Sequence, residues 1–313
     1  MKVLFLDKTH RFLSEILTQQ GHECLLHFDS AIEDILPQLA VADGLVVRSR
    51  VKITSEIMDL APKLKFIARV GAGMEGIDAD HAAKRNITCL NAPEGNRDAV
   101  AEHACGMILC LLNNIIKANH QVRNKIWLRE ENRGTELMGK TLAIIGYGNT
   151  GGAFAKRMKA FGMNVLAYDK YKKDFSDEYV VEATMNQVFS EADFLSLNVP
   201  LTDETTYLVN ASFIESFSKK IFIINTSRGK VVDTGALVDG LDSGKIQGAA
   251  LDVLEYESDS FARMHDSPVL QKLLSFENVV FTPHVAGWTF ESEKKLATVL
   301  AEKIIAHVRS GSL

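Results

Sequence analysis

The sequence predicts an α/β protein with two doubly wound parallel sheets, and three observations support this fold class. Short β-branched runs alternate with helical stretches along most of the chain, a pattern typical of parallel strands joined by crossover helices. The pattern changes after residue 95, and a second alternating series begins at residue 141. The chain also has 313 residues, more than one hydrophobic core usually supports. We therefore expect two domains.

The two alternating series predict the individual elements. The first predicts strands at residues 2–6, 23–28, 44–48, 65–70 and 87–91. A long helical segment follows at about residues 98–125, and because it is apolar nearly all round we expect one helix that is buried between domains or subunits. The second series predicts strands at residues 141–145, 164–168, 194–199, 221–225, 248–253 and 279–282. An amphipathic helix over residues 289–308 is expected to complete the first domain.

Composition and charge favour a protein that acts on small molecules. The 35 basic and 40 acidic residues give a formal charge of −5, which offers no long-range attraction for nucleic acid or an anionic membrane. The first residues are only briefly apolar before Asp7 and Lys8, so we expect neither a signal peptide nor a spanning helix there. The four cysteines lack C-x-x-C and zinc-site spacing, so we expect no metal site and a reduced, cytoplasmic setting. We expect Cys105 and Cys110 to be buried packing residues.

A glycine-rich turn follows the predicted strand at residues 141–145. Gly146, Gly148 and Gly151 form the pattern G-x-G-x-x-G at the start of a predicted helix. Such glycines permit a tight turn, close approach of the backbone to a pyrophosphate, and close packing of helix on strand. Because a helix N-terminus also carries unpaired N–H groups, the pattern predicts dinucleotide binding. A purely structural turn is the alternative.

Asp169 favours the dinucleotide interpretation. It stands 18 residues after Gly151, at the end of the next predicted strand. A carboxylate there accepts hydrogen bonds from the ribose hydroxyls and repels a 2′-phosphate, so we expect NAD as the cofactor rather than NADP. Lys170, Lys172 and Lys173 follow directly and would weaken this preference.

Three ionisable residues, Arg228, Glu257 and His284, lie at or soon after the ends of predicted strands. The carboxyl ends of strands in a doubly wound sheet converge on the ligand crevice, so these residues can meet there. Oxidation of an alcohol beside a carboxylate needs a cation for the carboxylate, a base for the hydroxyl proton and a hydride acceptor. Taken singly, each residue has a structural alternative: a capping arginine, a solvated glutamate and a core histidine.

The order of these motifs resembles the D-isomer-specific 2-hydroxyacid dehydrogenase family across nearly the whole chain. The matching segments are the glycine turn, Asp169, N-V-P-L-T at 198–202, N-T-S-R-G at 225–229, A-L-D-V at 250–253, Glu257 and T-P-H at 282–284. Residues 91–96, 101–103 and 134–142 are most similar to its D-3-phosphoglycerate dehydrogenase branch. The resemblance implies a Rossmann NAD-binding domain, residues 96–287, inserted into a flavodoxin-like substrate domain, residues 1–95 and 288–313.

The resemblance also implies a role for each site residue. Arg228 would hold the substrate carboxylate, His284 would exchange the proton on the C2 oxygen, and Glu257 would hydrogen-bond His284. The remaining NAD contacts would be Asn149, Thr150, Pro200, Thr226, Ser227 and Asp252. Further substrate contacts would be Arg48 and the backbone of Ala72, Gly73 and Met74. A surface ion pair is an equal alternative for Arg48, and a plain glycine turn is the alternative for residues 70–78.

We therefore expect hydride transfer between NAD and C2 of a small D-2-hydroxy acid or 2-keto acid, with 3-phosphoglycerate as the first candidate. The alternatives are a glyoxylate or hydroxypyruvate reductase and a non-catalytic NAD-sensing protein of the corepressor type. Departures from the family pattern affect the choice of substrate. Residues 259–271, with Phe261, Arg263, Met264 and His265, resemble an insertion, and Trp288 stands where a small polar residue is frequent. The family also implies a homodimer.

Overall fold

A computed structural model describes residues 1–28, 30, 32–258 and 263–311. Phe261 of the insertion-like segment lies outside the described residues. The chain divides into two units, one formed by Met1–Arg97 with Trp288–Leu313 and the other by Asp98–Gly287. Each unit contains one parallel sheet with helices, so the predicted fold class is confirmed.

The described residues form the following elements in chain order. The strands are β1 (Lys2–Phe5), β2 (Glu23–Leu26), β3 (Gly44–Val47), β4 (Phe66–Arg69), β5 (Thr88–Asn91), β6 (Thr141–Ile145), β7 (Asn164–Tyr168), β8 (Val181–Glu182), β9 (Phe194–Leu197), β10 (Ile221–Asn225), β11 (Ile246–Leu251) and β12 (Val279–Phe281). The helices are α1 (Phe12–Gln19), α2 (Ile32–Leu39), α3 (Ser55–Asp59), α4 (Ala79–Lys84), α5 (Pro93–Leu112), α6 (Ile115–Arg123), α7 (Asn149–Ala160), α8 (Met185–Glu191), α9 (Ala211–Glu215), α10 (Thr234–Asp242), α11 (Pro268–Leu274) and α12 (Phe290–Arg309).

The sheet of the first unit has the order β2-β1-β3-β4-β5, which is the flavodoxin-like order. All four pairings are parallel, and β3 is buried along its whole length because helices cover both faces of such a sheet. The closing helix α12 packs in this unit. Leu296, Leu300 and Ile304 recur every four residues along it and are almost completely buried, so they form one apolar face.

The sheet of the second unit has the order β12-β11-β10-β9-β6-β7-β8, and its pairings are also parallel. Counted from β6, this is the Rossmann order with one additional strand. The winding reverses between β6 and β9, which places the ligand crevice of such folds outside their carboxyl ends. The short strand β8 is absent from the sequence prediction, because two residues are too few to give an alternating pattern.

The prediction of one continuous helix at residues 98–125 is wrong. The segment forms two helices, α5 and α6, and the chain turns between them where Asn114 adopts a left-handed conformation with φ +51°. Within this chain no residue of α6 is buried, and even its apolar residues Ile115, Ile116 and Val122 are exposed. Among the described residues no single helix has the length and apolar composition of a membrane span. The α5 and α6 pair meets that requirement only jointly, and it is bent by 61°.

Candidate active site

The carboxyl ends of six strands form one row in the second unit. The strand pairings align Tyr168, Ile145, Leu197, Asn225, Leu251 and Phe281 across the sheet. The residues that follow them in the chain are Asp169, Gly146, Asn198, Thr226, Asp252 and Thr282. Motifs far apart in the sequence therefore leave the sheet at a common edge, as expected for parallel strands.

The glycine turn has the geometry that its sequence predicts. Gly146 has a φ of +92°, and a Cβ there would lie 2.4 Å from the carbonyl oxygen of Asn198. A Cβ on Gly151 would lie 2.2 Å from the carbonyl oxygen of Gly146. A Cβ on Gly148 would meet no atom of the described residues within 4 Å apart from its own chain neighbours, so the space in front of that backbone is open. Packing therefore requires glycine at positions 146 and 151. Gly148 leaves room that fits the pyrophosphate of a dinucleotide.

Helix α7 begins at Asn149 and Thr150, directly after this turn. Gly148 is its N-cap residue and provides no side-chain cap for the first backbone N–H groups. Unpaired N–H groups at a helix start attract phosphate oxygens. The turn and the helix together therefore fit NAD.

Asp169 ties the glycine turn to the end of β7. Its Oδ2 accepts a hydrogen bond from the backbone N–H of Tyr147 at 3.0 Å, and its Oδ1 accepts from Tyr171 at 3.0 Å and Lys172 at 3.1 Å. A carboxylate accepts about four hydrogen bonds, so capacity is left for a ribose hydroxyl. The neighbouring lysines have local contacts. Lys170 donates to Glu204 at 2.8 Å, and Nζ of Lys172 donates to the carbonyl of Tyr147 at 2.5 Å.

Glu257 and His284 lie together, and the predicted hydrogen bond between them is present. Nδ1 of His284 is 2.6 Å from Oε2 of Glu257, and their side chains are 23% and 19% exposed. His284 has a φ of +56°, an unusual conformation for a residue with a Cβ, and its N–H donates to the carbonyl of Asp252 at 2.8 Å. Glu257 accepts from the N–H of Leu254 and pairs with Met264 in an antiparallel bridge.

Arg228 lies half-buried at the start of a 3-10 turn after β10. Its Nη1 donates to the carbonyl of Ser227 at 2.6 Å. Asn225 shapes this turn, because its Oδ1 accepts from the hydroxyl of Ser227 at 2.8 Å and its Nδ2 donates to the carbonyl of Arg228 at 2.9 Å. Sequence reasoning missed this role of Asn225, although the residue lies inside the N-T-S-R-G segment. Thr226 lies between Asn225 and Ser227, directly after the end of β10.

Asp252 is a buried carboxylate that is 2% exposed. Its Oδ1 accepts from the hydroxyl of Thr282 at 2.5 Å and the N–H of Val285 at 2.9 Å, and its Oδ2 accepts from the N–H of Ala286 at 2.9 Å. These contacts hold the segment that carries His284. The family resemblance implies that Asp252 lies beside the cofactor, and no sequence pattern indicates its contact with Thr282.

The substrate residues predicted in the first unit lie at the carboxyl ends of β3 and β4. Arg48 follows β3, and its guanidinium stacks on the indole of Trp288 at 4.4 Å and pairs with Glu293 at 3.3 Å. The loop with Ala72, Gly73 and Met74 follows β4, and the carbonyl of Ala72 accepts from Nδ2 of Asn91 at 2.6 Å. Of the two interpretations of Arg48, the ion pair with a local acid is therefore present.

Other predicted positions have simpler surroundings. Pro200 is exposed after β9, and its carbonyl accepts from the hydroxyl of Thr205 at 2.7 Å. Within the described residues, no group of three or more histidine, cysteine, aspartate or glutamate side chains is arranged to hold a metal ion.

Comparisons with known proteins agree with this geometry. Residues 105–286 match the family model of the D-isomer-specific 2-hydroxyacid dehydrogenase NAD-binding domain. The chain is 38% identical to a D-3-phosphoglycerate dehydrogenase of Methanocaldococcus jannaschii over 97% of its own length and 57% of that protein. It is 38% identical to a hydroxypyruvate reductase of Thermotoga maritima over 87% of each chain.

A solved structure of a D-2-hydroxy acid dehydrogenase has a similar fold. The D-lactate dehydrogenase of Aquifex aeolicus, complexed with NAD and lactic acid, has a TM-score of 0.82, 28% identity and coverage of 99% of this chain and 96% of that one. The second unit is therefore an NAD-binding domain, and the chain belongs to the D-isomer-specific 2-hydroxyacid dehydrogenase family.

Proposed function

We propose that this protein interconverts a small D-2-hydroxy acid and its 2-keto acid with NAD as the redox cofactor. The observation that carries the proposal is the hydrogen-bonded pair of His284 and Glu257, at the same sheet edge as the glycine turn. In this proposal Gly146, Gly148, Gly151 and Asp169 hold the cofactor, with further contacts from Asn149, Thr150, Pro200, Thr226 and Ser227. The bound nicotinamide supplies the hydride in reduction and accepts it in oxidation.

His284 exchanges the proton on the substrate oxygen. A carboxylate only accepts hydrogen bonds, so Nδ1 of His284 carries the proton that lies between it and Glu257. Proton exchange with the C2 oxygen therefore takes place at Nε2. In reduction, C2 gains the hydride and its oxygen gains the proton from His284. In oxidation, the hydride returns to the nicotinamide and the proton returns to His284. The negative charge of Glu257 stabilises the imidazolium form that oxidation produces.

Arg228 holds the carboxylate of the substrate. Its guanidinium is a permanent cation with paired donors that match a carboxylate. Asn225 donates to the carbonyl of Arg228 and accepts from the backbone N–H of Ser227, and these hydrogen bonds fix the backbone from which Arg228 projects. The first unit, as the proposed substrate domain, contributes the loop of Ala72, Gly73 and Met74 and the arginine at position 48.

Two substrate classes follow from different observations. Similarity to D-3-phosphoglycerate dehydrogenases over nearly the whole chain supports a phosphorylated substrate, for which Arg48 provides a cation. The pairing of Arg48 with Glu293 and Trp288 favours an uncharged tail, as in hydroxypyruvate or glyoxylate, because a phosphate would have to displace Glu293. We propose the phosphoglycerate class as the first candidate and the hydroxypyruvate class as the second.

A screen of 2-keto acids tests the proposed function. NADH oxidation is measured with phosphohydroxypyruvate, hydroxypyruvate, glyoxylate and pyruvate, and repeated with Glu293→Gln. Turnover of at least one keto acid is expected, and the variant should raise kcat/KM for the phosphorylated substrate alone. NADH binding without turnover of any keto acid would contradict the enzyme and favour the NAD-sensing alternative.

We also propose that the protein is a cytoplasmic homodimer. All four cysteines are free thiols, which is usual in a reducing compartment. Ile116 of α6 and Trp127 just beyond it are 55% and 75% exposed, an arrangement that a second copy would cover. Sedimentation of the wild-type chain should give a dimer at micromolar concentration, and Trp127→Glu should shift it toward monomer. A wild-type monomer contradicts the proposal.

A further inference from the structure

A side chain from helix α5 completes the support of the segment that carries His284. Nε2 of His103 lies 2.9 Å from the hydroxyl oxygen of Thr282, and that hydroxyl lies 2.5 Å from Oδ1 of Asp252. The histidine nitrogen is also 3.7 Å from the same carboxylate oxygen. The three residues form a chain of contacts from His103 through Thr282 to Asp252, which in turn contacts the backbone of the segment that carries His284.

The direction of these hydrogen bonds follows from their chemistry. The carboxylate of Asp252 only accepts, so the single hydroxyl proton of Thr282 points to it. The oxygen of Thr282 must therefore accept from His103, which fixes the proton of His103 on Nε2. Each of the three groups then has one defined orientation.

Asp252 transmits this orientation to His284. Its carboxylate accepts the N–H groups of Val285 and Ala286, and its carbonyl accepts the N–H of His284. The left-handed backbone of His284 is thus held by hydrogen bonds to one buried residue, Asp252, from His284 itself and from the two residues that follow it. A non-glycine residue keeps such a conformation only where surrounding contacts fix it.

We propose that His103 is a positioning residue that, through Thr282 and Asp252, holds the imidazole of His284 in the orientation for proton exchange. The proposal rests on the proposed function, because it concerns the step assigned to His284. His103 takes no part in the chemistry itself, and its N–H keeps the hydroxyl of Thr282 aligned with Asp252.

The need for this donor is visible at Thr282. Sδ of Met107, one turn further along α5, lies 3.6 Å from the same hydroxyl and is a second, weaker acceptor. While His103 donates to the oxygen of Thr282, it holds that side chain in the position from which the hydroxyl donates to Asp252. Without that donor the side chain of Thr282 is held less firmly, and its hydrogen bond to Asp252 is less well fixed. The ring of His284 then spends less time in the productive orientation.

Steady-state kinetics of four variants test the proposal. His103→Leu removes the donor, His103→Gln keeps a side-chain N–H, Thr282→Val removes the hydroxyl, and the double variant combines His103→Leu with Thr282→Val. His81→Leu is the matched control, because His81 makes a 2.9 Å contact with the carboxylate of Asp59 in the first unit. For each protein kcat and KM for the keto acid, the NADH dissociation constant and the melting temperature are measured.

His103→Leu should lower kcat about tenfold while KM and NADH affinity change by less than about twofold. His103→Gln should recover most of the wild-type kcat, and His81→Leu should leave it unchanged. The kcat of the double variant should fall no further than that of the more impaired single variant. Two independent tenfold losses would instead multiply to about a hundredfold.

Three results would overturn the proposal. They are a wild-type kcat in His103→Leu, no recovery in His103→Gln that folds and binds NADH, and multiplicative losses in the double variant. A wild-type chain without turnover would instead overturn the proposed function, so the two failures are distinguishable.

Discussion

Nδ1 of His284 lies 2.6 Å from Oε2 of Glu257, although the two residues are 27 positions apart in the chain. Both partners are held by the backbone around them. Leu254 donates to the other oxygen of Glu257, and the carbonyl of Asp252 accepts from His284. A catalytic group held in this way needs little reorganisation before it reacts. The pair therefore has the fixed geometry that proton exchange requires.

Replacement of Glu257 by glutamine tests the charge in this pair. The amide preserves size and can still accept a hydrogen bond, but it cannot stabilise the imidazolium form of His284 electrostatically. We expect kcat for keto-acid reduction to fall about a hundredfold with little change in NADH affinity. Stopped-flow or steady-state NADH oxidation measures the effect. A kcat close to that of the wild type would show that Glu257 has only a packing role.

The glycine turn offers a matched pair of substitutions. Gly146→Ala places a Cβ 2.4 Å from the carbonyl oxygen of Asn198 at a φ of +92°, so it should lower the melting temperature clearly. Gly148→Ala places its Cβ in open space, so the apo protein should remain as stable as the wild type. The same Cβ would stand where a pyrophosphate approaches, so NADH binding should weaken at least about tenfold. Unchanged NADH affinity in Gly148→Ala would place the cofactor elsewhere.

Asp169 should set the preference for NADH over NADPH. Asp169→Asn keeps an oxygen that accepts from the backbone of Tyr171 and Lys172, but it removes the negative charge. The ratio of kcat/KM for NADPH to that for NADH should therefore rise about tenfold or more. Initial rates with both cofactors measure this ratio. Equal rates with both cofactors in the wild-type protein would contradict the assignment.

Cys105 should resist alkylation in the folded protein. Burial raises the pKa of this thiol to about 11, and the residue is 8% exposed. Because the thiolate is the reactive form, a thiol with that pKa is ionised to only about one part in a thousand at pH 8. Iodoacetamide treatment at pH 8 followed by peptide mass analysis should leave Cys105 unmodified. The guanidinium-unfolded chain is the control, and equal modification in both states would contradict burial.

The strands could be predicted because their signal is local. Residues 141–145, 164–168 and 221–225 are predicted at the bounds where β6, β7 and β10 are found. Each is a short apolar run of the kind that a sheet covered on both faces requires. The convergence of their carboxyl ends then follows from parallel topology alone, which is why Glu257 and His284 could be predicted to meet.

The remaining features depend on information that the local sequence does not contain. Residues 115–123 mix apolar with polar and charged side chains, and the local sequence reveals neither the turn at Asn114 nor whether a partner covers α6, so the prediction of one continuous helix was wrong. The contact between His103 and Thr282 joins residues 179 positions apart, and neither belongs to a pattern that specifies the other. The stacking of Arg48 on Trp288 likewise arises only when α12 returns to the first sheet.

His284→Ala measured with NADH and the best keto-acid substrate tests the central claim most directly. We expect kcat to fall by about three orders of magnitude while NADH fluorescence titration gives the wild-type dissociation constant. Such a result assigns proton exchange to His284 and leaves cofactor binding to the glycine turn. Wild-type turnover in the alanine variant would contradict the account.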